Sequence, residues 1–191
     1  MRELYTFPNL LSLTRVGLGA TAALWIVNGS RAYLIGAAVL IALGELTDFL
    51  DGHLARRLDG ETDLGKSLDA SCDAIFHLSV FLALMIVGWM PLWAAVAIYA
   101  AEVAFPYLRS FAKQIKAEAS PPVLDAIHAG MHGLTLLAVV LIVYFAGSLA
   151  GIAGVAVIPL VFAANVLVTY TVLAVSIWPL VKALRAQHRS E

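Results

Sequence analysis

Six long apolar runs alternate with short polar or turn-forming stretches: about Leu10 to Val27, Ala32 to Leu50, Lys66 to Val87, Pro91 to Ser110, Val123 to Ala146 and Gly151 to Leu180. The separators are Asn28-Gly29-Ser30, the polar run Arg56 to Asp63, Gly88-Trp89-Met90-Pro91, Lys113 to Pro122, and Gly147 near Gly151. All of these are compositions that end helices or turn the chain. Each run is long enough to cross a bilayer, which takes about 20 apolar residues as a helix. The two-residue alternation of a membrane barrel strand is absent. A spanning chain must satisfy its backbone inside helices or in a closed barrel. The pattern therefore predicts an all-α integral membrane protein of six transmembrane helices, one domain over residues 1–191. Tyr5, Phe7 and a break at Pro8 predict a short N-terminal interfacial helix before the first span, and Trp178 with the basic tail from Lys182 anchors the last.

Composition supports lipid as the solvent: 61% of the 191 residues are hydrophobic and 13% charged, against roughly 45–50% apolar in soluble domains. A net charge of -1 gives no general basic field, so no nucleic-acid partner is expected. The distribution of charge says more than its total. On a six-span layout 11 of the 12 basic residues fall on one side and only Arg31 on the other, which places both termini in the cytoplasm. The 13 acidic residues lie on or just within that same half, so the working surface faces inward. Arg2 ahead of the run Val16 to Val27 has the look of a secretory signal, but Arg15 lies close to the run and further spans follow, so the first helix reads as uncleaved. The single cysteine, Cys72, cannot form an intramolecular disulfide and reads as a packing residue.

The chemistry concentrates between Asp48 and Asp73. Asp48, Asp51, Gly52 and Ala55 recur at i, i+3, i+4 and i+7 on one face of the second helix; Gly65, Asp69 and Asp73 recur at i, i+4 and i+8 on the third. A short polar connection makes these helices neighbours, so four carboxylates can converge at the cytoplasmic end. Bare carboxylates 4 Å apart repel by about 4 kcal/mol per pair even at an effective dielectric of 20, and cations must offset that. Oxygen ligands alone suit hard ions, and four aspartates suffice for two divalent cations, Mg2+ or Mn2+ before Ca2+, which points to phosphate chemistry. Gly52, Ala55 and Gly65 leave room beside the backbone, and Arg56 offers a forked donor to a phosphate. Asp59, Glu61 and Asp63 read as solvated loop charges.

This arrangement, DxxDGxxAR, eight residues, then GxxxDxxxD, resembles the signature of the class I CDP-alcohol phosphatidyltransferase family, matched by Asp48, Asp51, Gly52, Ala55, Arg56, Gly65, Asp69 and Asp73. The resemblance implies six helices, two metals held by Asp48, Asp51, Asp69 and Asp73, and a CDP group contacted by Gly52, Ala55, Arg56 and Gly65. It implies Asp73 as general base, CDP-diacylglycerol as donor, an acceptor alcohol and release of CMP; a homodimer in the membrane is expected from small-residue spacings. Gly147 with Gly151 and Gly130 with Gly133 offer small-residue spacings for such close packing.

The segment Pro8 to Arg15 is similar to the opening of the phosphatidylglycerophosphate and cardiolipin synthase branch, which implies nucleotide contacts from Asn9 and Thr14. Arg109 resembles that branch's arginine on the fourth helix. With Lys113 and Lys116 it fits a phosphorylated acceptor, glycerol 3-phosphate first, although both lysines equally suit anionic lipid. Ala70 and Ala74 stand where the branch carries proline and lysine, and its lysine pair on the fifth helix is missing. In that region lie Asp125 and the i, i+4 pair His128 and His132, which can hydrogen-bond an unphosphorylated alcohol such as inositol, bind a metal, or satisfy each other. Inositol phosphate, serine and phosphatidylglycerol remain alternative acceptors. Glu45, one turn from Asp48, reads as support for the metal ligands, Glu102 has no obvious partner, and His53 and His77 read as packing or interface residues. Intramembrane acids also occur in cation or proton transporters, but an outward half with only Arg31 charged and no inverted repeat argues against transport. A complete ligand set argues against an inactive scaffold.

Overall fold

The computed structural model describes residues 7–57, 63–115, 122–149 and 153–187. Six helices follow the six apolar runs: α1 (Phe7–Asn28), α2 (Arg31–Arg57), α3 (Asp63–Ile86), α4 (Leu92–Gln114), α5 (Pro122–Leu149) and α6 (Ala153–Gln187). No strand occurs among the described residues.

The predicted breakers around Gly29 and Gly88 act where they stand, whereas Gly147 lies inside α5. Gly29 (φ 73°) and Gly88 (φ 77°) take the left-handed conformation just past α1 and α3, which a residue with a Cβ adopts only at a cost. At Gly88 the cap is a full Schellman motif, with Gly88 N–H donating to the Met85 carbonyl at 3.0 Å and Trp89 N–H to the Leu84 carbonyl at 2.8 Å. Ser30 caps α2, accepting from the Tyr33 N–H at 3.4 Å. Pro8 does not break the chain as expected. It stands in the first turn of α1, where its missing N–H would have had no helical partner anyway. The interfacial helix foreseen before it falls on residues 1–6, outside the described residues.

α1 packs against α2 and α3, and α5 against α2 and α6, while α4 leans chiefly on α6. The shared core contains Ile26, Ile41, Phe76, Phe81, Leu84, Ile98, Leu136 and Phe162. Outward faces are also apolar: Leu24, Leu160 and Leu167 are 71%, 68% and 70% exposed, as expected of a surface solvated by lipid. Among the described residues four stretches are long and apolar enough to cross a membrane: Leu10–Asn28, Ser67–Ile86, Ala126–Phe145 and Ala156–Arg185. α2 and α4, with 27 and 23 residues, have the length but carry Arg31, Glu45 and Asp48 in one case and Glu102 and Arg109 in the other. Within the α5–α6 interface, buried Asn165 donates to the Met131 carbonyl at 3.0 Å and to Thr135 Oγ1 at 2.9 Å, the polar glue typical of helices in lipid. Trp178 and Lys182 near the end of α6 are exposed, as anchors would be.

The small residues are used inside the bundle. Gly19 lets α1 approach the backbone of α3 so closely that an added Cβ would lie 2.9 Å from Phe76 Cα. Gly133 sits against the Glu45 side chain, whereas Gly130 faces open space. Gly151 lies outside the described residues. Gly19→Ala must push two helices apart, and we expect it to lower stability by about 2 kcal/mol, read by thermal unfolding in detergent.

Candidate functional site

Successive helices run antiparallel, which collects the first halves of α1, α3 and α5 and the last halves of α2 and α4 at one end. The ionisable side chains meet there. Arg15, fully buried on α1, directs Nη1 to Asp48 Oδ1 at 2.8 Å and to Asp73 Oδ1 at 3.6 Å, while its Nη2 lies 3.4 Å from Asp69 Oδ1. Ser12, one turn earlier on the same face, donates from Oγ to Asp69 Oδ1 at 3.0 Å. Three of the four predicted acids, Asp48, Asp69 and Asp73, thus surround one guanidinium. One guanidinium against three carboxylates leaves this group of side chains short of positive charge. Oxygen donors only, gathered round a buried cation and partly open to solvent, fit hard divalent ions.

Beneath this cluster His77 joins Asp73 to one further acid, Glu45. Its Nε2 lies 2.8 Å from Glu45 Oε1 and its Nδ1 lies 3.4 Å from Asp73 Oδ1. Asp73 is thereby held between Arg15 on one side and His77 on the other. Glu45 is thereby joined to Asp73 through the imidazole. The fit is tight, because a Cβ at Gly133 would overlap the Glu45 carboxylate.

A cavity of about 290 Å³ opens beside these groups, lined among others by Asp48, Asp69, Asp73, His77, Glu102 and Arg109. Across it, Glu102 Oε1 lies 3.3 Å from His128 Nε2 and 3.4 Å from His132 Nε2. Arg109 stacks over Phe105 with its guanidinium carbon 5.9 Å from the ring centroid, which orients it at the cavity wall.

The other predicted residues are placed as follows. Gly65 is half-buried near the start of α3. Thr14 is exposed and donates its hydroxyl to the Leu11 carbonyl at 2.6 Å, within its own helix. Asp51, Gly52, Ala55 and Arg56 occupy the last two turns of α2, Asn9 the first turn of α1 and Lys113 the end of α4, but their side chains lie outside the described residues, as do those of His53 and Asp125. Sequence reasoning treated Arg15 as a marker of orientation and His77 as packing. Signals for both were present. Arg15 borders an apolar run, where a charge demands a partner, and His77 continues the Asp69, Asp73 series by one further turn.

A family model described as CDP-alcohol phosphatidyltransferase matches residues 5–178, and the chain belongs to that family. With four helices apolar enough to span a bilayer, it is an integral membrane protein of an enzyme family. Among relatives, it is similar to a cardiolipin synthase (CMP-forming) from Streptomyces coelicolor, 34% identical over 101 residues, 51% of this chain and 46% of that protein. A phosphatidylinositol phosphate synthase from Corynebacterium glutamicum is 39% identical over 84 residues, 44% of this chain and 37% of that one. A CDP-diacylglycerol–glycerol-3-phosphate 3-phosphatidyltransferase from Aquifex aeolicus is 38% identical over 69 residues, 36% of this chain and 37% of that one. The matched stretch spans less than half the length of each relative.

Removing the guanidinium leaves three carboxylates facing one another. We expect Arg15→Ala to cost about 2 kcal/mol, below the value for a fully buried pair because the acids are partly exposed. Thermal unfolding in detergent should show Mg2+ or Mn2+ restoring more stability to the variant than it adds to the native chain.

Proposed function

We propose that the chain transfers the phosphatidyl group of CDP-diacylglycerol to an acceptor alcohol and releases CMP, as one membrane domain of six spans whose termini and active site face the cytoplasm. The observation that carries this reading is the gathering of Asp48, Asp69 and Asp73 around Arg15 at the wall of a cavity that also reaches Arg109. In this reading Asp48, Asp51, Asp69 and Asp73 would hold two divalent cations, Mg2+ or Mn2+, which supply Lewis-acid neutralisation of the pyrophosphate. Gly52, Ala55, Arg56 and Gly65, with Asn9 and Thr14 near the start of α1, bind the nucleotide.

Asp73 accepts the hydroxyl proton of the acceptor as its oxygen forms a bond to the lipid-side phosphorus. The bond from that phosphorus to the bridging oxygen breaks, and the oxygen leaves with CMP. His77 and Glu45 are positioning residues that keep the Asp73 carboxylate aimed at the incoming hydroxyl. Arg15 contributes positive charge beside the carboxylates.

Glycerol 3-phosphate is the acceptor we favour. Arg109 at the cavity wall offers a planar fork to its phosphate, Lys113 lies one turn further along α4, and the Aquifex relative bears that acceptor in its name. Outward-facing apolar surface on the helices leaves room for a homodimer contact in the membrane.

Purified protein given CDP-diacylglycerol and Mn2+ should release CMP with glycerol 3-phosphate in preference to inositol, inositol phosphate, serine or phosphatidylglycerol. Preference for an unphosphorylated acceptor overturns the role given to Arg109. Asp73→Asn should abolish CMP release while nucleotide binding persists; unchanged release removes Asp73 as base. Gly133→Ala, by displacing Glu45 from His77, should lower kcat about tenfold with little change in KM for the donor. Gly130→Ala, with no atom within 4 Å of its added carbon, serves as the matched control.

A further inference from the structure

The geometry points to a second kind of metal centre in this chain: Glu102, His128 and His132 form a three-ligand site for a borderline transition ion, Zn2+ first, on the wall of the cavity that the aspartates also line. One potential ligand atom from each of the three residues lies within 4.8 Å of the others. Two of the three edges are measured directly, 3.3 Å from His128 Nε2 to Glu102 Oε1 and 3.4 Å from His132 Nε2 to the same oxygen. Ligands at about 2.0–2.1 Å from a tetrahedral zinc stand about 3.3 Å apart. An N–H···O hydrogen bond is shorter, about 2.9–3.0 Å.

The state of the nitrogens is the independent observation. His132 is 1% exposed, and neither of its ring nitrogens finds a hydrogen-bond partner among the described residues; the same holds for Nε2 of His128. Both Nε2 atoms approach the glutamate oxygen without hydrogen-bond geometry. Buried imidazole nitrogens left this way are costly, and a shared cation satisfies both together.

Local structure favours the same arrangement. His128 and His132 are four residues apart on α5, so both rings leave one helix face, with centroids 4.5 Å apart. That spacing is the one by which a helical histidine pair grips zinc. Glu102 reaches in from α4, which makes the ion a bridge between α4 and α5. Phe105 shields one side, its ring centroid 4.5 Å from that of His128. All three ligand residues line the same cavity as Asp73, so the fourth position opens toward the substrate space. Three protein ligands with one open position is the pattern of a zinc site that takes an oxygen ligand. Two imidazoles and one carboxylate select for zinc-like ions, while the all-oxygen aspartate cluster selects for magnesium or manganese. The two centres therefore do not compete for one metal.

The test uses full-length protein purified in detergent without a polyhistidine tag, loaded with Zn2+, passed over chelating resin and measured for metal content. The native chain should retain about one equivalent of Zn2+, and His128→Gln/His132→Gln should retain at least about tenfold less. Asp69→Asn should retain as much as the native chain. Co2+ in place of Zn2+ should give the intense visible absorption of a four-coordinate ion in the native chain, a readout that needs no variant. Absence of retained Zn2+ and of that absorption overturns the assignment, as does loss of zinc in Asp69→Asn but not in the histidine variant. Mn2+-supported CMP release, measured separately, tests the transferase reading, so either can fail without the other.

Discussion

A buried guanidinium among three carboxylates organises this molecule. In a medium that cannot solvate charge, Arg15 is tolerable only if Asp48, Asp69 and Asp73 come to it, and they are tolerable together only because it is there. That mutual requirement ties the first half of α1 to the last half of α2 and the first half of α3. The steric features nearby follow from it. Gly19 allows α1 to meet the backbone of Phe76, and Gly44 on α2 makes room for the Phe76 ring, so three helices can approach closely enough for short side chains to share one cation.

The same end of the bundle holds a second layer of polar contacts. His77 connects Asp73 to Glu45, and its ring centroid is 5.6 Å from that of His132, which in turn faces Glu102. Charged and imidazole groups thus continue from the aspartate cluster to the α4–α5 wall, around a cavity closed elsewhere by apolar side chains. Electrostatic interactions are strengthened in such a setting.

Much of this was legible in the sequence, for identifiable reasons. Among the described residues local signals set helix ends: Gly29 and Gly88 follow α1 and α3, and Ser30 caps α2. Asp48, Asp69 and Asp73 were legible because their spacing repeats the helical period on two adjacent helices. Tertiary partnerships were not. Nothing in the periodicity of α1 says that Arg15 turns inward to meet residues 33 and more positions away, nor that Glu102 faces His128 and His132 from a different helix. Pro8 misled because a proline in the first turn and a proline that breaks a helix look alike until the helix start is known.

The account stands on one joint cation-binding cleft between α2 and α3. Electron paramagnetic resonance of the purified chain loaded with Mn2+ tests it most directly. Two ions bridged by shared aspartates, about 3.5–4 Å apart, should give an exchange-coupled spectrum that disappears in Asp48→Asn and in Asp69→Asn. A spectrum of isolated, uncoupled Mn2+ that is indifferent to both substitutions would contradict it.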